Sequence, residues 1–160
     1  MKKYTETKMY DTGIFGTDIV TRVLFEKGRA DIAYSLLSSK GETSFYNQIQ
    51  NGATTILEYW NGVRSQCHPM FGAVSKYLFE YILGIRQTKD SVAYDKVTVS
   101  PACMKEIPEA KGKIKTVKGE IKVEYNKEKI IVTIPENIEA EIIFDNKKIP
   151  LKAGENVFDR

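Results

Sequence analysis

Glu58 is the one carboxylate in the stretch from Ser44 to Gly62. That stretch also concentrates aromatic rings (Phe45, Tyr46, Tyr59 and the only tryptophan, Trp60) and side-chain amides such as Asn47, Gln48, Asn51 and Asn61. The only histidine, His68, follows shortly afterwards in Gln66-Cys67-His68-Pro69-Met70-Phe71-Gly72. This mixture suits a sugar. Aromatic faces stack on the apolar C–H face of a pyranose, while amides and a carboxylate fix its hydroxyls. The residues alone leave a second reading open. A glutamate beside two aromatics fits a solvated residue at a helix end equally well, and a lone histidine at a helix start fits a satisfied structural residue.

The elements that would position these side chains change character along the chain. From about Asp11 to Gly84 the apolar spacing is helical. Ile19, Val20, Val23 and Leu24 share a face, with Thr17 or Asp18 as N-cap and Gly28 as the stop. Ile32, Ala33, Leu36 and Leu37 repeat the pattern after that turn, which makes a helical hairpin. A longer helix is predicted from about His68 to Leu83 on the spacing of Phe71, Val74, Leu78, Tyr81 and Ile82, closed by Gly84.

Beyond about Thr88 the period falls to two. Val97 and Val99, then Ile121, Val123 and Tyr125, then Ile130, Val132 and Ile134, then Ala140, Ile142 and Phe144 alternate with polar neighbours. Asp145-Asn146 and Ala153-Gly154 supply turns, so the second half is predicted to be an antiparallel β-sandwich. The polar stretch Arg86–Ser91 is the expected connector, with a helical part over 1–88 and a sandwich over 89–160. So few helices leave apolar faces open, and large open faces mark interfaces.

Composition narrows the function classes. The net charge of +3 over 160 residues is spread along the chain, with lysines interleaved among glutamates as in Lys122-Val123-Glu124. That argues against a nucleic-acid surface. No apolar run reaches membrane-spanning length, and the segment from Met1 to Glu6 has no signal-peptide character. Cys67 and Cys103 lack ligand spacing, so no metal or other cofactor is expected. Two reduced thiols indicate a cytoplasmic protein.

Three ordered blocks resemble the bacterial α-L-rhamnosidases: Asp11-Thr12-Gly13-Ile14-Phe15-Gly16-Thr17, Gly52-Ala53-Thr54-Thr55-Ile56-Leu57-Glu58, and His68-Pro69-Met70-Phe71-Gly72-Ala73-Val74. Ile134-Pro135-Glu136-Asn137 resembles a loop of that family's C-terminal sandwich. Gly-Ala-Thr-Thr-x-x-Glu is the most specific of these. The resemblance implies an α+β chain, the last helices of an (α/α)6 toroid followed by the sandwich. It implies inverting hydrolysis of terminal α-L-rhamnosides, with Glu58 as the general base and His68 contacting the rhamnose. Trp60, Phe45 and Tyr46 would line the pocket.

The chain departs from the family pattern at Leu57, where the family has an aromatic residue, and at Thr43-Ser44-Phe45, where it has a Pro-Ser-Trp-like segment. The family's general acid lies in earlier helices, and no second carboxylate here stands in a matching motif. The chain is therefore expected to be a C-terminal piece that is inactive alone. Its expected partners are rhamnose-containing glycans or glycosides. Its open helical faces would be covered by a homodimer or by the remaining helices. The competing reading is a non-catalytic carbohydrate-binding or structural sandwich module with self-associating helices.

Overall fold

Glycine sets both ends of the longest helix. Helices α1 (Lys2–Thr7), α2 (Ile14–Glu26), α3 (Ala30–Leu37) and α4 (Phe45–Gln50) open the chain. The computed structural model describes residues 1–160, which fall into two compact units, Met1–Tyr77 and Leu78–Arg160. Gly13, in extended conformation, is the N-cap of α2. At the other end the Gly28 N–H donates to the Phe25 carbonyl and the Arg29 N–H to the Leu24 carbonyl, a Schellman closure with Gly28 at φ +69°.

The expected cap at Thr17 or Asp18 is corrected: both lie inside α2. Thr17 and Thr21 are fully buried and satisfy their hydroxyls locally. Thr21 donates to the Thr17 carbonyl at 2.7 Å and also pairs with the Tyr10 hydroxyl at 2.7 Å. Back-bonding of this kind lets threonine occupy the buried face, which consists of Thr17, Thr21, Leu24 and Phe25. Ile19 and Val23, expected inside, are instead 50% and 42% exposed and form a stripe with Phe15 at 67%. In α3, Ile32, Ala33 and Leu36 are buried as their spacing predicts.

The long helix predicted over 68–83 is wound three ways: a 3₁₀ turn Pro69–Val74, one α turn Ser75–Tyr77 (α5), and a π turn Leu78–Ile82. The buried residues explain the winding. Phe71, Val74 and Tyr77 recur every three positions, which suits the tight form, and Ile82 follows five later, which suits the wide one.

In the second unit Gly84 is held at φ +75°, and a Cβ there would overlap the Ser100 carbonyl, so only glycine fits. Strands β1 (Ile85–Gln87), β2 (Lys96–Val99), β6 (Glu139–Phe144) and β7 (Lys147–Leu151) form one sheet in the order β1-β2-β6-β7. Strands β3 (Ala110–Thr116), β4 (Gly119–Tyr125), β5 (Lys129–Ile134) and β8 (Gly154–Asp159) form the other in the order β3-β4-β5-β8. All pairings are antiparallel except β2 with β6, which runs parallel with Val97 opposite Ala140. Ile85, Val97, Val99 and Ile142 from the first sheet share one buried core with Ile121, Val123, Ile130, Val132 and Ile134 from the second. The alternating residues thus meet between two layers, as a sandwich requires. Asp145 and Asn146, both at positive φ, turn β6 into β7. Pro135–Asn137 lies in the β5–β6 connection. No helix is long and apolar enough to cross a membrane.

Candidate active site

The three sequence blocks converge on one cleft. Its walls are the first turn of α2 with its cap (residues 13–16), Glu58, Tyr59, Trp60 and Phe71, and its volume is about 280 Å³. Gly13 and Gly16 bring backbone to the wall. At Gly16 a Cβ would press on the Thr12 side chain, so the close approach of Thr12 to the helix depends on glycine.

Glu58 is held by a short loop that folds back on itself. The Glu58 N–H donates to the Ser65 carbonyl at 3.0 Å, and the Ser65 N–H donates to Glu58 Oε2 at 3.2 Å. The His68 N–H donates to the Ile56 carbonyl at 2.7 Å, and the Thr55 hydroxyl donates to the Gln66 carbonyl. The segment before Glu58 is thereby laid alongside the segment that leads to His68. Gly62 at φ +75° and Arg64 at φ +70° make the reversal between them. One carboxylate oxygen is fixed by this arrangement, and the other, Oε1, has no hydrogen-bond partner within the chain. A half-buried carboxylate with one oxygen held and one free can accept a proton from a water seated in the cleft.

Trp60 is locked by its neighbours. Its indole N–H donates to the Thr12 carbonyl at 2.7 Å. Its ring stacks on Tyr10 at 5.8 Å, packs against Phe71 at 4.1 Å and meets the Phe45 edge at 5.2 Å. Tyr10 and Phe71 are buried, so this aromatic cluster is the rigid floor of the first unit. Because the indole N–H is already committed, Trp60 offers the cleft an apolar edge and not a donor.

The expected site residues are thus distributed as follows. Glu58 and Trp60 line the cleft together. Phe45 stands behind Trp60 in the aromatic cluster. Tyr46 is 42% exposed, with the Lys40 ammonium 5.3 Å from its ring centre. His68 is half-buried and outside the lining residues, and its Nδ1 is enclosed with no hydrogen-bond partner.

Residue-type reasoning missed the α2 first turn, Phe71 and the Ser65 amide as parts of the site. The paired glycines of the Asp11–Thr17 block were the available signal for the first of these. The departure at Thr43–Phe45 is accommodated. Thr43 donates its hydroxyl to the Tyr10 carbonyl, and the Ser44 hydroxyl caps α4 by accepting the Asn47 N–H at 3.0 Å. No cluster of three or more His, Cys, Asp or Glu side chains is placed to hold a metal ion.

Comparison with known proteins agrees with the blocks. The chain is 33% identical to an alpha-L-rhamnosidase of Alteromonas sp. (strain LOR) over 82% of its own length and 16% of that protein's. Among solved structures it is similar to the alpha-L-rhamnosidase from Dictyoglumus thermophilum, with 25% identity, a TM-score of 0.79, and 95% of this chain and 21% of that one covered. It shares the fold of the Streptomyces avermitilis alpha-L-rhamnosidase solved in complex with L-rhamnose, with 20% identity, a TM-score of 0.86, and 98% and 18% covered. The chain therefore spans about a sixth of the length of the curated relatives it matches. Residues 1–82 match the family model of the bacterial alpha-L-rhamnosidase 6 hairpin glycosidase domain, and residues 84–158 match that of the bacterial alpha-L-rhamnosidase C-terminal domain. The chain belongs to the bacterial α-L-rhamnosidase family.

Proposed function

We propose that this chain supplies the water-activating carboxylate and the C-terminal sandwich of an enzyme that hydrolyses terminal α-L-rhamnosides with inversion. The observation that carries this reading is the convergence of residues 13–16, Glu58 and Phe71, from three separate blocks, on one cleft. Glu58 Oε1 takes a proton from a water. The resulting hydroxide-like oxygen attacks the anomeric carbon from the face opposite the leaving group, and the C–O bond to the aglycone breaks. Inversion needs a second carboxyl group, roughly 6.5–9.5 Å from the first, to protonate the departing oxygen. Glu58 is the one carboxylate among the cleft residues, so the acid comes from outside them.

His68 contacts the rhamnose in this reading; its Nδ1 is enclosed and stands apart from that contact. Phe45 supports Trp60 from behind. The Phe15–Ile19–Val23 stripe of α2 is the face that other helices of a six-hairpin domain, or failing them a second copy, would cover. The two free cysteines favour a cytoplasmic setting.

The test is turnover of an alkyl α-L-rhamnoside, whose poor leaving group needs protonation, by the purified chain. Loss of the acid costs a factor of about 10² to 10⁴, so the chain alone is expected to show no enzymatic rate. Robust turnover abolished by Glu58→Gln would reject the missing-acid part of the proposal. In any longer form that turns over, proton NMR of the first-formed sugar reads the stereochemistry, and retention would reject inversion.

A further inference from the structure

A second cleft shares the Trp60 wall but contains no charged side chain. Its volume is about 270 Å³, and Gln48, Asn51, Asn61 and Gln66 line it together with Leu57 and Trp60. A cleft with no carboxylate cannot perform the proton transfers of hydrolysis, and one with no formal charge has nothing to neutralise an ionic ligand. What it offers is side-chain amide chemistry from four residues, donors and acceptors in equal supply.

Several of those groups are unclaimed. Gln48 is only 3% exposed. Its amide nitrogen donates to the Tyr59 carbonyl at 3.4 Å, and its amide oxygen has no partner in the chain. Asn61 spends its oxygen on the Val63 N–H and keeps its NH₂ group free. Gln66 spends its nitrogen on the Gly62 carbonyl and keeps its oxygen free. The Asn51 backbone N–H donates to the Asn47 carbonyl, but its side-chain amide makes no hydrogen bond. An amide oxygen that reaches a cleft without a partner in the chain is completed by a ligand or by water.

We infer that this amide-lined cleft is a non-hydrolytic binding site for a neutral pyranose ring. Hydroxyls that both donate and accept would satisfy the unclaimed oxygens of Gln48 and Gln66 and the unclaimed NH₂ groups of Asn51 and Asn61, while Leu57 and Trp60 meet the C–H face. The size suits one ring. Leu57 acquires a role here: it replaces the aromatic residue of the family pattern and forms an apolar wall of this cleft. The inference rests on the reading of the chain as one that handles glycosides; of the groups that line the Glu58 cleft it shares only Trp60.

All the lining residues lie between positions 48 and 66, so the purified 160-residue chain presents the cleft. The experiment is a titration with methyl β-D-glucopyranoside, L-rhamnose and glucuronate, followed through the side-chain NH₂ signals in ¹⁵N NMR spectra. Either neutral sugar is expected to shift the NH₂ signals of these four residues with a dissociation constant of about 1–100 mM, the range of a small site with a few hydrogen bonds. Glucuronate is expected to bind more weakly. Asn51→Ala combined with Asn61→Ala should weaken the neutral sugars by about tenfold, the loss of one or two hydrogen bonds, and Glu58→Gln should leave this response unchanged. Absence of any shift with both neutral sugars would overturn the inference, as would shifts unaltered by the double variant or stronger binding of glucuronate. The Gly13 and Gly16 amides report the Glu58 cleft separately. Their response to rhamnose with silent side-chain amides would sink this inference alone, and their silence beside responding side-chain amides would sink the hydrolytic reading alone.

Discussion

Phe71 is wholly buried and touches both Trp60 and Phe45, so the position of the Glu58 cleft depends on it. Phe71→Ala is expected to cost about 3–5 kcal/mol, read as a lower urea midpoint, and to broaden the Trp60 indole signal. A loss under about 1 kcal/mol would show that the cluster repacks around the hole.

Asp11 is the residue whose titration is most informative. Its carboxylate takes hydrogen bonds from the Lys3 ammonium and the Tyr4 hydroxyl, which hold its pKa below the usual aspartate value. The same contact, together with burial, pushes the Tyr4 phenol up to about 12, with burial the larger cause. A depressed carboxylate pKa stabilises the fold above the unfolded value of about 3.9, and that contribution is lost as pH falls through the lowered folded value. Because the pair is solvent-exposed its worth is below about 1 kcal/mol. Asp11→Asn should therefore lower the melting temperature slightly at pH 7, and the gap should close as the pH falls through and below the lowered folded value. A gap that persists in acid would mean the side chain acts through shape and not charge.

At the scale of the element, glycine carries the geometry. Gly84→Ala meets both a left-handed backbone and the Ser100 carbonyl, and is expected to cost several kcal/mol or to prevent folding of the second unit. Circular dichroism melts would check this, and a change under about 1 kcal/mol would contradict the close approach.

The same scale shows what the sequence could and could not reveal. Strands β4, β5 and β6 are legible because one face of each is buried and the other is wet, so Ile121, Val123 and Tyr125 alternate cleanly with charge. Strand β3 is not, because its inward positions are Ala110, Gly112 and Ile114. Gly112 is small because the Leu83 side chain fills the space a Cβ would need. The start of α2 was hidden for a related reason. Buried threonines satisfied within the helix look like caps, and an apolar stripe open in this chain looks like a core face. Glu58 and Trp60 were legible through composition and block resemblance. The Ser65 amide was not, since a backbone donor seven residues away carries no side-chain signature.

At the scale of the whole chain, each unit buries a core of its own, but the first leaves Phe15, Ile19 and Val23 open along α2. An apolar stripe of this kind associates when nothing covers it. The chain by itself is expected to sediment with a concentration-dependent shift toward dimer. Ile19→Glu should return it to monomer without lowering its melting temperature, because that side chain is already half exposed. A parent chain that stays monomeric across a hundredfold range of concentration would contradict an interface on this face.

The central claim is that Glu58 faces a cleft shaped for rhamnose. Titration of ¹⁵N-labelled chain with L-rhamnose tests it most directly. The account predicts saturable shifts at the backbone amides of Gly13, Gly16 and Tyr59, which line the Glu58 cleft and not the amide-lined one, reduced in Glu58→Ala. Shifts that avoid those three amides, or shifts of those amides that survive unchanged in Glu58→Ala, would contradict it.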